Sequence, residues 1–571
     1  MTTLNKMLHR TTSLWCEQYR NNFFSSSHKV EVVQRKKLNN ILKNASGFPA
    51  HVASDISPNM SWKDYADAVP ISDYKSWENW IGVGRSSDIP VLGRSPIKRY
   101  QPTSGSTSAV KWIPYSQSFL NEINSALMTW IGDLYRRYPN IQEGYHYWSV
   151  SWVPTSLRDE VGENVNDDLK VLPWWKRWMA SQYMAVPETV AQAGTSDDTL
   201  FASLAWLISR RDLTMLSIWS PTFALSLLEK IQENRDELVG VLEKGSWLDR
   251  SNTLRMTQCP QSSQGAALLK DMDNILDPES LARLWPKLSL ISSWDTASSK
   301  VWADKLHRLF PNAAFQGKGL WATEGAVTIP VDGKYPLALN SHYYEFQDIS
   351  SGEVLPSWKL EKGMEVSPLL TTGTGFLRYK LSDRLLVNDF LNECPCFEFK
   401  GRIDGADLAG EKISTETAQN IIDDFSKNHP VVPVSLLAIP GDCWGRAGSD
   451  KGTYVLLCEP ILSKHCNDNG AHSALVHHLE GFLEESLLEN FHYRLARELG
   501  QINHASVVVD SRSSDFYQFR CLQRGMAKGN IKIEPLVLWN TVLPGGLSEI
   551  FSKKNQLIRE SHVNKIIVPE I

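Results

Sequence analysis

The chain has 571 residues, more than one hydrophobic core usually serves, so two or more domains are expected. With 59 Lys plus Arg against 64 Asp plus Glu the formal net charge is −5, and 42% of residues are apolar. Those figures exclude a disordered chain and a polybasic surface for duplex nucleic acid. Tryptophan is abundant at 21 and unevenly spread: 19 fall at or before Trp358, and only Trp444 and Trp539 come later.

The opening MTTLNKMLHRTTSLWCEQ lacks the continuous apolar stretch of a secretion signal, and no later run reaches the roughly 20 apolar residues of a membrane span. A cytoplasmic protein with no membrane partner is expected. Its eight cysteines include no CxxC pair and read as reduced, mostly buried thiols, with Cys394 and Cys396 at the start of a strand.

Taken in chain order, residues 1 to about 45 carry apolar positions at helical period (Val30, Val33, Leu38, Ile41, Leu42) and end at Ala45-Ser46-Gly47. Tyr65 to Ile81 reads as short helical pieces punctuated by Pro70, and Ile97 to Gln101 as a strand. Residues 117–136 predict a helix, and 198–232 predict two helices interrupted at Pro221. From 375 to 403 the pattern turns to short β-like runs: Phe376 to Leu381, Arg384 to Val387, and Cys396 to Lys400. A composition shift follows at 404–412, rich in Asp, Gly and Glu. Leu479 to Leu499 reads as one long amphipathic stretch begun by His477-His478, which lack a third ligand at metal spacing. There is no HExxH and no GxSxG, so zinc-protease and α/β-hydrolase chemistry are disfavoured.

Four segments carry chemistry. Residues 103–111, TSGSTSAVK, pack five hydroxyls, one glycine and one lysine directly after a predicted strand. Backbone NH groups and small hydroxyls there can converge on an anion, although most such clusters are solvated turns and the Walker A spacing is absent. Leu320 to Gly325 is a short apolar run ending in Thr323 and Glu324, and a carboxylate so placed suits a hard cation beside phosphates. Leu377 to Asp383 reads as a strand ending in an aspartate able to accept bonds from vicinal hydroxyls, and Glu398 to Gly405 as a strand exit carrying Arg402. Each is ordinary alone.

In order and spacing, TSGSTSAVK, ATEG at 322, RYKLSD at 378 and GRIDGADLAGEK at 401 resemble the adenylate-forming superfamily, specifically the auxin-responsive acyl acid amido synthetase (Gretchen Hagen three) family. VPISDY at 69, KWIPYS at 111, WSPTF at 219 and HYYEF at 342 extend the resemblance nearly end to end. It implies an α/β fold of two domains: a large N-terminal domain, 1–403, with the acyl and ATP sites, and a smaller mobile α+β domain, 404–571. Carried over by position, Ser104, Gly105, Ser106 and Thr107 would form the phosphate loop with Lys111 at its end. Thr323 and Glu324 would contact the α-phosphate and Mg²⁺, and Asp383 the ribose hydroxyls. Arg402 would position the nucleotide, Asp404 would be the hinge, and Lys412 would touch the nucleotide. Lys565 would meet the acyl phosphate. The chain departs from the family pattern at Ser106 and Ser108 in the loop, and at Glu570 where the family tends to have arginine.

The implied activity uses ATP and Mg²⁺ to adenylate a small carboxylic acid and passes the acyl group to an amino acid, in a monomer that binds neither nucleic acid nor membrane. Transfer to a thiol such as coenzyme A, or ligand binding without turnover, are the alternatives. Trp148, Trp152, Trp174, Trp175 and Trp178 would either bound a bulky acyl group or serve as core.

Overall fold

The computed structural model describes residues 3–87, 89–102, 111–149, 179–296, 299–402, 405–406, 408, 411, 413–441, 443, 451–461, 469–498, 501–523, 526 and 531–539. Two compact units partition the chain: Met1–Lys400 with Ala527–Lys532, and Gly401–Met526 with Ile533–Ile571.

The first unit opens with α1 (Thr3–Ser27), α2 (Val30–Ala45), α3 (Trp62–Ala68) and α4 (Tyr74–Ser87), as the helical spacing predicts. The antiparallel pair β1 (Ile97–Pro102) and β2 (Trp112–Ser116) follows, and then α5 (Gln117–Arg137). Ser116 starts α5: its hydroxyl accepts the Phe119 N–H at 3.2 Å, and Arg136 and Arg137 sit in the last turn, where the helix dipole favours cations.

Next come β3 (Tyr145–Trp148), α6 (Ser196–Ser209), β4 (Leu213–Ser217), α7 (Pro221–Glu233), α8 (Arg235–Lys244), α9 (Ser263–Asp271), α10 (Pro278–Leu284), β5 (Leu290–Ser292), α11 (Lys300–Leu309) and β6 (Ala314–Gln316). Strands β3-β4-β5-β6 form a parallel sheet in that order. The two helices expected over 198–232 are present as α6 and α7, the second beginning at Pro221, but β4 lies between them, which the sequence pattern does not reveal. Leu-Thr-Met-Leu-Ser is buried at every position, as central parallel strands are, so it shows no period-two alternation to read.

The rest of the unit is largely antiparallel. The hairpin β7 (Trp321–Ala322) and β8 (Gly325–Ala326) precedes β9 (Tyr343–Asp348), β10 (Val354–Pro356), β11 (Glu365–Thr371), β12 (Tyr379–Lys380), β13 (Asp383–Leu391) and β14 (Cys394–Arg402). The sheet order is β10-β9-β11-β13-β14, with β12 pairing β11. The run Phe376 to Leu381 shrinks to two residues of strand because Arg378 stands at φ +48, outside the extended region. Asp383 opens a strand; it does not end one.

The second unit contains β15 (Gly405–Ala406), β16 (Ile413–Ser414), α12 (Thr415–Asn428), β17 (Val431–Ile439), β18 (Thr453–Pro460), α13 (Asn469–Leu488), α14 (Phe491–Glu498), β19 (Ser506–Val509), α15 (Ser513–Gln523) and β20 (Leu536–Leu538). Its mixed sheet runs β19-β18-β17-β20. The long amphipathic stretch from 479 is two helices: Asn490 accepts the Tyr493 N–H at 3.1 Å and starts the second, and His477 and His478 lie within the first. The seven cysteines described are free thiols, six of them buried. Among the described residues no helix is long and apolar enough to cross a membrane, and no cluster of His, Cys, Asp or Glu could hold a metal on three such ligands.

Candidate active site

Lys111 immediately precedes β2, and its ammonium lies 5.6 Å from the ring of Tyr74, whose hydroxyl accepts the Trp112 N–H at 3.0 Å. Four residues on, the Tyr115 hydroxyl donates to the Thr323 carbonyl at 3.0 Å and fixes the β7–β8 turn against β2. Glu324, next in that turn, is half-buried, and its Oε1 accepts the Tyr379 hydroxyl at 3.2 Å. Burial pushes the Glu324 carboxyl above its ordinary range. The Lys111 charge and the Tyr379 hydroxyl oppose that rise, and the negative charge of Asp383 adds to it. Lys111 and Asp383, from two other motifs, thus both act on the Glu324 carboxyl.

The loop carrying Tyr379 and Asp383 is held from behind. The Arg378 guanidinium is buried: Nε donates to Glu345 Oε2 at 3.0 Å, and Nη1 donates to the carbonyls of Ala66 and Val69, both at 2.7 Å. Burial pushes Glu345 up to about 7 against the pull of that arginine. The arginine of RYKLSD therefore braces the loop and does not face a ligand. Tyr115 and Tyr379 were within the quoted runs KWIPYS and RYKLSD, but nothing in those runs marks either hydroxyl as a partner of Thr323 or Glu324.

A second feature lies at the carboxyl ends of the parallel strands, where open α/β sheets bind ligands. Trp148, Ser217, Ser292 and Gln316 each close their strand, and they pair in register across the sheet, so their side chains share a face. Trp130 from α5 donates its indole N–H to Gln316 Oε1 at 2.9 Å. Lys318, just past β6, is buried and donates to Ser217 Oγ at 2.7 Å. Its ammonium faces the rings of Trp130 and Trp219, each at 4.7 Å, and Trp148 at 5.7 Å. Ser292 Oγ, fully buried in the middle of the row, has no hydrogen-bond partner among the described residues. Trp148 also lines a small apolar cavity of about 50 Å³, together with Leu127 and Ile131 of α5, Met179 and Met184.

Of the remaining residues singled out in the sequence, Arg402 is the last residue of β14. Its side chain lies outside the described residues, as do Ser104, Gly105, Ser106, Thr107, Asp404, Lys412 and Lys565, and Trp152, Trp174, Trp175 and Trp178.

Residues 19–315 match the GH3 family N-terminal domain and residues 335–402 the GH3 family central domain, and the chain belongs to that family. It is 21% identical over 501 residues to an indole-3-acetic acid-amido synthetase of Arabidopsis thaliana, covering 77% of this chain and 80% of that one. It is 20% identical to a 4-substituted benzoates-glutamate ligase of the same plant, over 60% of this chain and 63% of the relative. The solved structure of an acyl acid amido synthetase in complex with 2,4-DB superposes with a TM-score of 0.73 at 17% identity, covering 92% of this chain and 94% of that chain. The fold is the same.

Proposed function

We propose that the protein is an ATP-dependent, AMP-forming acyl acid amido synthetase. Membership of the GH3 family and likeness to named amido synthetases support this reading, and the observation that carries it is the convergence of Lys111, Glu324, Tyr379 and Asp383. In the first half-reaction a carboxylate oxygen attacks the α-phosphorus of ATP, and pyrophosphate leaves. In the second an amino acid's amine attacks the acyl carbon of the adenylate; the C–O bond to AMP breaks and the amine loses a proton.

These residues suit a triphosphate and a hard divalent cation. Glu324 is an oxygen donor whose carboxyl is pushed up by burial and by Asp383, and a cation relieves both. Glu324 would hold Mg²⁺, which supplies charge neutralisation where carboxylate and phosphate repel. Tyr379 orients the Glu324 carboxylate, Lys111 supplies positive charge beside it, Thr323 would contact the α-phosphate, and Asp383 would accept the ribose hydroxyls. In this reading the loop 104–107, Arg402 and Lys412 would complete the nucleotide contacts, Lys565 would meet the acyl phosphate, and Asp404 would be the hinge.

The acid is read at the sheet end. The indoles around Lys318 suit a flat or greasy acyl group, and buried aromatics exclude the water that would hydrolyse the adenylate. A pyrophosphate-release screen of aryl, indolyl and fatty acids, each with mixed amino acids, tests the reading. Mass analysis of products with hydroxylamine, amino acids or coenzyme A identifies the acceptor. Release only with coenzyme A would make the protein a thioester-forming enzyme, and release with no acid would remove the activity.

A further inference from the structure

One buried carboxylate belongs to none of the four motifs. Glu122 lies on the second turn of α5, and its Oε2 accepts the Gly373 N–H at 2.8 Å and the His342 Nδ1–H at 2.7 Å. His342 is fully buried and stacks on Phe119 with ring centroids 5.4 Å apart. Its other nitrogen, Nε2, accepts the Ala326 N–H at 3.2 Å. A ring nitrogen that accepts a backbone N–H carries no proton, so the proton sits on Nδ1 and points at Glu122. The charge of Lys37, from α2, acts on the same carboxylate.

These bonds end on the backbone of the candidate site. Ala326 follows Glu324 by two residues, and the intervening Gly325 stands at φ +158, where a Cβ would come within 2.7 Å of His342 Nε2. The Glu324 turn thus rests directly on the imidazole. Gly373 lies in the turn between β11 and β12 that delivers Tyr379 and Asp383. Its carbonyl accepts the Ser116 hydroxyl at 2.9 Å and the Asn44 amide at 3.1 Å, which ties the same turn to the strand that follows Lys111. A buried carboxylate is costly, and an apolar pair of equal volume would fasten α5 to the sheet more cheaply. Apolar side chains could not hold the N–H groups of two loops in fixed positions.

We propose that Glu122 and His342 are positioning residues, a buried bracket that sets Lys111, Glu324 and Asp383 at the spacing the adenylating step requires. This rests on the reading of Glu324 and Asp383 given above. In Glu122→Gln the amide oxygen can take the place of Oε2 and accept both donors but carries no charge, so both charge-assisted bonds weaken with little change of shape. His342→Gln and Gly325→Ala perturb the same contact from its other side.

Each variant and the wild type are compared by acid-dependent ATP/pyrophosphate exchange, by calorimetric Mg·ATP affinity and by thermal melting. The expected result is a kcat lowered by about 10- to 100-fold in Glu122→Gln and in His342→Gln, as for residues that orient primary ligands, with the KM for the acid changed less than about threefold. Mg·ATP affinity should weaken about tenfold, and the double variant should be no slower than the slower single one, because both act through one turn. Any soluble variant of the three with wild-type kcat and Mg·ATP affinity, or multiplicative losses in the double variant, overturns the proposal. If the wild type exchanges with no acid, the functional reading fails, and the bracket is then judged on Mg·ATP affinity, where equality between wild type and variants overturns it.

Discussion

Among the histidines that the first unit buries, His9 and His146 do one thing and His342 another. His9 and His146 lie where α1 and α5 meet β3: His9 Nδ1 meets the Tyr135 hydroxyl at 2.7 Å, its Nε2 meets the Gly144 carbonyl at 2.9 Å, and His146 Nε2 meets the Ile141 carbonyl at 2.9 Å. Burial drives His9 down to about 4 and His146 down to about 3, so both are neutral at working pH. Their hydrogen-bond partners are a tyrosine and carbonyls of one neighbourhood. His342 joins a buried carboxylate to the backbone beside Glu324. A buried imidazole that answers only its own packing stabilises the fold, whereas one set between a charge and a functional turn transmits geometry.

That contrast can be broken. The largest effect is expected at the turn that His342 supports: Glu324→Ala and Asp383→Ala should each lower acid-dependent pyrophosphate exchange by about 1,000-fold or more, with melting temperature unchanged. Wild-type exchange would remove the residue from the site. In the other set, a Cβ at Gly144 would lie 1.9 Å from the Asp212 carbonyl, so Gly144→Ala should destabilise by about 3 kcal/mol in chemical denaturation, while protein that folds keeps its kcat.

Acid sharpens the comparison further. Folded pKa values of about 4 and 3 lie below the unfolded 6.5, so the unfolded chain binds more protons between those limits and stability is lost as pH falls below 6.5. At pH 5 the loss should be about 2 kcal/mol per histidine relative to pH 7, and His146→Gln should flatten the denaturation midpoint's pH slope; an unchanged slope would contradict the burial argument. The smallest effect is expected at Lys318→Met, which should raise the KM for the preferred acid about tenfold and leave the KM for ATP alone.

How much of this can be read from sequence follows from range. Lys111, Glu324 and Asp383 sit in short runs that are ordinary alone and legible only through their order and spacing, whereas the helices of 1–45 and 117–136 declare themselves by period. Strand β4 escapes because all five of its residues are buried. Glu122 and His342 escape for a different reason: 220 residues separate them, and neither lies in a motif that predicts a partner. Arg378 lies in RYKLSD, where nothing announces a role, and it is a brace because of Glu345, 33 residues earlier on β9.

The row Trp148, Ser217, Ser292 and Gln316 has a consequence for how such a protein diverges. Each residue is the last of its strand, so exchanging its side chain leaves the ladder beneath unaltered. A handful of point changes along that rim could retune which acid is accepted while the carboxylate turn, held by its own bracket, keeps the shared chemistry. Variation in diet and constancy in chemistry are thereby assigned to separate parts of one scaffold.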